Sequence, residues 1–540
     1  MDCAATMRLS TTCLLLALVS AAVGQDSPFT ENVNLENIQE QAVPYEYKTH
    51  SKEGTLVWDT SFDGSRPVVA VFHDADGPDG FELWVAQRLA NEGYAAFVAD
   101  LWGGESAKND DTSMETVEEK GMGVEALIAV ASIDAVKGLN STVVDPDSVI
   151  VVGYGFGGTV ALELARSGSD VPAVAAIHPT TLAPAGPGGA SFGGRVLVVV
   201  GDGQEGIATD DVISFHDELR GLGAAWEVTR LSKVAEGFTL PTSDNFDAVA
   251  EMRAWQSLSE WLQQVVEPSR VDYLAEPYNA TGVDDALLTS TTIDYSEGDF
   301  QLRGFASYLT STEEKRPVLL IVPDGNGIGP YELWRAKLAA MEGYVGFVAD
   351  IYGADIVQGA IPMEERVRLI TGLFMPRTNF LGRMSAALAA VASEELSAVA
   401  DATRVVAIGY CFGGSGVIEL MRAEPEGLLG IASFHGGILD TNGTKAGECN
   451  NVATAVYNGA DDPTVSNEEK EAFRVEMNAA KVNWELTDYG GAVHRFTNPD
   501  APAGDPNNAY DPTADFRSWE SMKAFLAALF SDDNPYVACP

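Results

Sequence analysis

At 540 residues the chain exceeds what a single hydrophobic core normally organises, so two domains are expected. Its 46% hydrophobic and 21% charged residues exclude a disordered or collagen-like chain. With 33 Lys and Arg against 79 Asp and Glu, the formal net charge of -46 argues against a nucleic-acid partner and describes a strongly solvated acidic surface.

Cys13 to Gly24 form an apolar run preceded by Arg8 and ending in small residues. The run is too short to span a bilayer, so a cleaved signal peptide over residues 1–24 is expected, with a secreted or secretory-lumen product and no membrane partner after cleavage. Cleavage removes Cys3 and Cys13 and leaves Cys411, Cys449 and Cys539. An oxidising compartment permits a Cys449–Cys539 disulfide, which leaves Cys411 free. Asn140, Asn279 and Asn442 each open an Asn-X-Ser/Thr triplet compatible with glycosylation.

Comparing the halves exposes a duplication. Arg66-Pro67-Val68 recurs as Arg316-Pro317-Val318, Glu82-Leu83-Trp84 as Glu332-Leu333-Trp334, and Ala99-Asp100 as Ala349-Asp350, all in one register. After a short insertion, Gly153-Tyr154-Gly155-Phe156-Gly157-Gly158 answers Gly409-Tyr410-Cys411-Phe412-Gly413-Gly414. Further on, Trp226-Glu227 answers Trp484-Glu485, and Arg253-Ala254-Trp255 parallels Arg517-Ser518-Trp519. The join falls between Val266 and Leu287, giving domains over 25–270 and 271–540.

In the second half, Val318–Val322, Val345–Ala349, Val405–Ile408, Leu429–Phe434 and Val452–Tyr457 read as buried strands, being short and continuously apolar. Helices are expected at Tyr331–Met341, Leu381–Val391, Gly413–Arg422, Asn467–Ala480 and Trp519–Leu529. The alternation predicts an α/β fold in each half, a mostly parallel sheet flanked by helices on both faces.

Gly409-Tyr410-Cys411-Phe412-Gly413 fits a Gly-X-nucleophile-X-Gly turn, placed after a strand and before a helix. Such a turn carries its nucleophile in a strained conformation, and the flanking glycines let strand and helix approach. A nucleophile needs a base and the base an orienter, and an α/β-hydrolase supplies them in the order nucleophile, acid, histidine, so with the duplication two tandem α/β-hydrolase domains are expected. Asp461-Asp462-Pro463 and then His494 obey that order, and Asp462 is preferred over Asp461 as the acid.

On these motifs the second half resembles the dienelactone hydrolase family, whose members carry a Gly-Tyr-Cys-Phe-Gly-Gly turn, a Gly-X-X-Asp segment and an Ala-Val-His-X-Phe-Thr-Asn-Pro segment. They stand here at Gly409–Gly414, Gly459–Asp462 and Ala492–Pro499, with Tyr510, Ala514 and Arg517-Ser518-Trp519 continuing the likeness. The resemblance covers about residues 300 to 530. It implies attack by Cys411 on an ester or lactone carbonyl, proton relay by His494, and orientation of His494 by Asp462. It also implies an oxyanion hole from the N–H groups of Phe412 and Gly325, and control of the thiol's protonation by Asp324, one methylene shorter than the usual Glu. Family members bind acidic lactones, which makes Arg383 a candidate for a substrate carboxylate. His435 is expected to make a structural hydrogen bond.

The registers set Gly155, Gln204 and Glu236 against Cys411, Asp462 and His494, so the first half is expected to keep the fold, marked by Asp74 opposite Asp324, and to lack the chemistry. His73, His178 and Glu236 lack metal-ligand spacing, and no cofactor or metal is expected. The expected activity is hydrolysis of a lactone, small ester or thioester by a Cys-His-Asp triad; the alternative is a pseudoenzyme that binds small ligands without turnover.

Overall fold

The computed structural model describes residues 29, 32–48, 50–102, 123–184, 190–204, 206–268, 283–311, 314–437, 446–447, 449–531, 534 and 536. The signal-peptide segment, Asn279, Asn442 and the Cys539 end of the expected disulfide lie outside the described residues. Asn140 is exposed, and Cys411 is a free thiol.

The chain divides into two compact units. The first runs to Val200 and adds Gln204–Ala225 and Val234–Glu251; the second takes Gly201–Gly203, Trp226–Lys233 and Met252 onward.

The first unit opens with the antiparallel hairpin β1 (Ile38–Tyr47) and β2 (His50–Asp59). There follow β3 (Arg66–Phe72), α1 (Gly80–Asn91), β4 (Ala95–Ala99), α2 (Val124–Lys137), β5 (Val144–Tyr154), α3 (Phe156–Arg166), β6 (Ala173–Ile177), β7 (Arg195–Gly201) and α4 (Thr209–Leu222). Its strands lie in the order β1-β2-β4-β3-β5-β6-β7, parallel from β4 to β7. β4 and β6 are buried at every position, which is why both read as unbroken apolar runs.

The second unit takes in β8 (Ala225–Leu231) and α5 (Ala248–Val266) for most of their length. It continues with β9 (Leu288–Glu297), β10 (Phe300–Leu309), β11 (Arg316–Val322), α6 (Pro330–Met341), β12 (Val345–Val348), α7 (Met363–Phe374), α8 (Thr378–Ala390), β13 (Ala400–Tyr410) and α9 (Phe412–Ala423). β14 (Leu428–Phe434), β15 (Ala453–Gly459), α10 (Asn467–Ala479), β16 (Trp484–Tyr489) and α11 (Pro512–Leu529) complete it.

Its sheet order is β8-β16-β15-β14-β13-β11-β12-β10-β9. The ladder is parallel from β12 through β16, while the β9–β10 hairpin and the β8–β16 pair are antiparallel. The core gathers Val318, Leu320, Val405, Ala407, Ile431 and Val456 from the sheet with Phe380, Met384, Val417 and Met421 from the helices. In such a sheet, loops at the carboxyl ends of the strands face the site. Cys411, Asp462 and His494 all stand in the first turns beyond β13, β15 and β16.

Candidate active site

β13 ends at Tyr410 and α9 begins at Phe412, leaving Cys411 alone on the turn with φ 54° and ψ -114°. That conformation is strained for a residue bearing a side chain, by about 1–3 kcal/mol. The glycines make the turn possible. A Cβ on Gly409 would lie 2.1 Å from the Gly413 carbonyl oxygen, and one on Gly413 would lie 2.2 Å from that of Val322. The Cys411 N–H donates to the Phe434 carbonyl at 3.0 Å and to His435 Nδ1 at 3.0 Å, which pins the turn to the neighbouring strand.

His494 bridges the thiol and a carboxylate. Its Nε2 lies 3.0 Å from Cys411 Sγ and its Nδ1 lies 2.8 Å from Asp462 Oδ2. Asp462 is buried, and its Oδ1 accepts from the Thr464 N–H at 2.8 Å and the Thr464 hydroxyl at 2.7 Å. Thr464 Oγ1 also comes within 3.1 Å of His494 Nδ1. Asp461 is exposed with its N–H on the Ala492 carbonyl, so of the two adjacent carboxylates it is Asp462 that meets the imidazole.

Burial opposes a charge on His494, but the adjoining Cys411 and Asp462 outweigh it and raise the imidazole pKa to about 10. The ring therefore keeps its second proton at neutral pH. His435 behaves in the opposite way. Burial first, then the neighbouring His494, Arg495 and Arg335, hold it neutral by lowering its pKa well below the usual range. Its Nε2 meets Thr497 Oγ1 at 2.7 Å, and that hydroxyl meets the Tyr331 hydroxyl at 2.7 Å, so His435 makes the structural hydrogen bonds expected of it.

On the facing loop, after β11, Asp324 is buried. Its Oδ1 accepts from the Asn326 N–H at 2.7 Å, and its Oδ2 lies 4.0 Å from Arg495 Nε. Glu332 beneath it accepts the Gly329 N–H at 2.9 Å and is raised to about 8 by burial and by Asp324. Tyr352 ties this loop to the thiol. Its hydroxyl donates to the Gly325 carbonyl at 3.0 Å, and its pKa is raised by burial and then by Asp324 and Cys411. α7 closes over Gly325, where an added Cβ would meet Ile370 Cδ1 at 3.0 Å and Arg366 Cδ at 3.5 Å. The Phe412 ring stacks on Phe380 of α8 with centroids 4.4 Å apart. The Phe412 N–H opens α9, among the donors that a helix leaves without an intrahelical partner.

The Arg383 guanidinium pairs with Glu297 and lies 3.5 Å over the Phe300 ring, packing α8 onto the β9–β10 hairpin. Thr464, Arg495 and Tyr352 escaped the sequence reading. Thr464 carried a signal, two residues after Asp462 where a hydroxyl closes an Asx-type turn.

In the first unit the same turn is present without the groups. Gly155 has φ 51° and ψ -117°, Gln204 donates to the Pro179 carbonyl at 2.5 Å, and Glu236 accepts from the Thr180 hydroxyl at 2.8 Å. Among the described residues no group of His, Cys, Asp and Glu is placed to hold a metal ion, and no helix is long and apolar enough to cross a membrane.

The description of the dienelactone hydrolase family matches residues 55–266 and again residues 305–530. The chain belongs to the dienelactone hydrolase family. It is a hydrolase of α/β-hydrolase type that carries the family's domain twice. An uncharacterized protein of Caenorhabditis elegans is 30% identical over 150 residues, 28% of this chain and 93% of that protein. Among solved structures, a dienelactone hydrolase-like promiscuous phosphotriesterase from metagenomic libraries shares 31% identity over 45% of this chain and 100% of its own, with a TM-score of 0.42. An esterase of Pyrobaculum calidifontis shares 14% identity over 50% of this chain and 96% of its own, with a TM-score of 0.35.

Proposed function

We propose that the second repeat of this dienelactone hydrolase family member cleaves a small carboxylic ester, lactone or thioester through Cys411, His494 and Asp462. The observation that carries the reading is the single imidazole spanning Cys411 Sγ at 3.0 Å and Asp462 Oδ2 at 2.8 Å. A thiolate beside the protonated His494 attacks the carbonyl carbon, and the carbonyl π electrons move onto oxygen. The N–H groups of Phe412 and Gly325 serve the resulting oxyanion. Its collapse breaks the bond to the leaving alkoxide or thiolate, which takes the proton from His494. Water then gives a proton to the neutral imidazole as its oxygen attacks the acyl thioester, and collapse releases the acid and restores the thiolate–imidazolium pair. Asp462 holds the imidazole in the tautomer and orientation that both steps require.

The first repeat is read as a non-catalytic copy, because Gly155 supplies no nucleophile and Glu236 no imidazole. The same reading has residues 1–24 removed on entry to the secretory pathway, which N-terminal sequencing of exported protein tests.

The purified protein is incubated with dienelactones, activated esters and thioesters, and the acyl-enzyme is trapped for mass spectrometry. Acylation on Cys411, with turnover lost in Cys411→Ala, supports the hydrolase. Absence of acylation and turnover on every member of the panel favours a ligand-binding pseudoenzyme.

A further inference from the structure

The loop after β11 ties down its backbone N–H groups, with one exception. The Asp324 N–H donates to Glu332 at 3.4 Å and the Gly329 N–H to the same carboxylate at 2.9 Å, so one side chain closes both ends of the loop. Between them the Asn326 N–H meets Asp324 Oδ1 at 2.7 Å, the Gly327 N–H meets the Asp324 carbonyl at 3.0 Å, and the Ile328 N–H meets Gln358 Oε1 at 2.8 Å. The Gly325 N–H has no hydrogen-bond partner among the described residues, although Gly325 is buried. A buried N–H left unpaired is costly, and a bound oxygen relieves it.

Two peptide planes meet at Gly325 and set the direction of that N–H. The plane that carries it is fixed on its carbonyl side by the Gly327 N–H. The next plane carries the Gly325 carbonyl, which accepts the Tyr352 hydroxyl at 3.0 Å. Glycine has no Cβ to confine the two dihedrals between the planes, so the hydroxyl supplies from outside a restraint that the residue itself lacks. Tyr352 is 3% exposed, and burial, then Asp324 and Cys411, raise its pKa, so it remains a donor.

The two copies separate what belongs to the fold of this loop from what belongs to its chemistry. In the first unit Glu82 accepts the Asp74 N–H at 3.3 Å and the Asp79 N–H at 3.0 Å, the Asp76 N–H meets Asp74 Oδ1 at 2.9 Å, and the Gly77 N–H meets the Asp74 carbonyl at 3.4 Å. The frame of the loop is thus kept. The register puts Ala75 at the place of Gly325 and Trp102 at the place of Tyr352. Trp102 packs edge-on against His73, with ring centroids 5.2 Å apart, and has no hydroxyl to give. The loop therefore folds without this bond, and the bond stands in the copy that carries Cys411.

We propose that Tyr352 is a positioning residue whose hydroxyl, by holding the Gly325 carbonyl, aims the Gly325 N–H at the carbonyl oxygen of the ester that Cys411 attacks. This rests on the Cys411 chemistry proposed above and adds to it a residue that acts through Gly325.

The test compares the full-length parent with Tyr352→Phe in two reactions of Cys411. Acylation by p-nitrophenyl acetate passes through an oxyanion, whereas alkylation by iodoacetamide displaces iodide at a saturated carbon and forms none. The acylation rate at saturating ester, read from p-nitrophenolate release, is expected to fall at least about ten-fold, because a misaimed donor loses much of its hold on the transition state. The alkylation rate is expected to stay within about two-fold of the parent's, since no oxyanion donor takes part in it. Tyr352→Trp, which brings in the first unit's residue, is expected to show the same split and serves if the phenylalanine variant fails to fold, as thermal unfolding reveals. An equal loss in both reactions would assign Tyr352 to the thiol itself, and unchanged acylation would show that the Gly325 N–H is set without it. Either result overturns the inference and leaves the Cys411 reading standing, whereas a parent that the ester does not acylate overturns both.

Discussion

Cys411 and Gly155 hold the same backbone conformation, φ 54° and ψ -114° in one and φ 51° and ψ -117° in the other. Glycine adopts it freely, whereas Cys411 is held there by the Phe434 and His435 acceptors on its N–H and by the tight approach of Gly409 and Gly413. The second unit therefore stores strain at Cys411. Cys411→Gly and Cys411→Ala are both expected to lose ester turnover, but the glycine variant should be the more stable of the two by about 1 kcal/mol. Denaturant unfolding compares them. Equal stability would show that the turn imposes no strain on a Cβ.

Shape alone does not restore chemistry. In a Cys411→Ala background, Gly155→Cys places a thiol on a turn of the right geometry, but the position opposite holds Glu236 and the orienting position holds Gln204. No thioester is expected on the introduced thiol after incubation with activated esters at neutral pH, by mass spectrometry, under conditions that acylate Cys411 in the parent. Rapid acylation there would mean that the turn itself activates the thiol.

His494 makes stability depend on pH in a defined direction. Its folded pKa, about 10, stands above the value near 6.5 of a free imidazole. The folded state thus binds the proton more tightly, and the stabilisation is complete below about pH 6.5 and lost as pH rises towards 10. Unfolding midpoints measured across that window should fall more steeply in the parent than in His494→Gln. The slope should also shrink in Cys411→Ala, because Cys411 is the largest favourable influence on the His494 imidazolium.

Much of this was legible in the sequence. β11, β13, β14 and β15 announced themselves as short apolar runs because each is buried on both faces. The turn at Cys411 was legible because steric necessity fixes its glycines, and the order of Asp462 and His494 followed from which strand ends carry the site. α7 gave no clear period, since Met363 and Val367 on it are 66% and 53% exposed and its apolar residues do not form one stripe. The contacts of Arg383 with Glu297 and Phe300 were not legible, because these residues come from a distant hairpin that no local pattern connects to α8.

Thr464 acts on the chemistry through other residues. It donates to Asp462 by both N–H and hydroxyl and lies 3.1 Å from His494 Nδ1, which makes it a positioning residue. Thr464→Val keeps the backbone bond and removes the hydroxyl. A lost hydrogen bond to a charged group is worth about 1.5–3 kcal/mol, so kcat is expected to fall about ten-fold or more with KM little changed. Thr464→Ser should recover most of the loss. A fall in KM and kcat together, or no recovery with serine, would point to packing instead.

The second unit also carries two buried ion pairs whose members correspond across the repeat. Arg253 meets Glu485 at 2.6 Å, and Arg517 meets Glu227 at 3.0 Å, where Arg253 aligns with Arg517 and Glu227 with Glu485. All four are buried, and Glu485 further accepts the Tyr457 hydroxyl at 2.9 Å. Burial alone would disfavour charge on Arg253, yet Glu485 outweighs it and raises the guanidinium pKa, so Arg253 stays charged. Removing one partner leaves the other charge buried without compensation, which costs about 3–5 kcal/mol, whereas replacing both by apolar groups of similar size is often neutral. Arg253→Met is therefore expected to destabilise the protein strongly, and Arg253→Met with Glu485→Leu to destabilise it less, although the Tyr457 hydroxyl then loses its acceptor. Chemical denaturation of the two variants decides it. A double variant weaker than the single by the full cost of a second deletion would mean that the carboxylate is held by Tyr457 independently of its arginine.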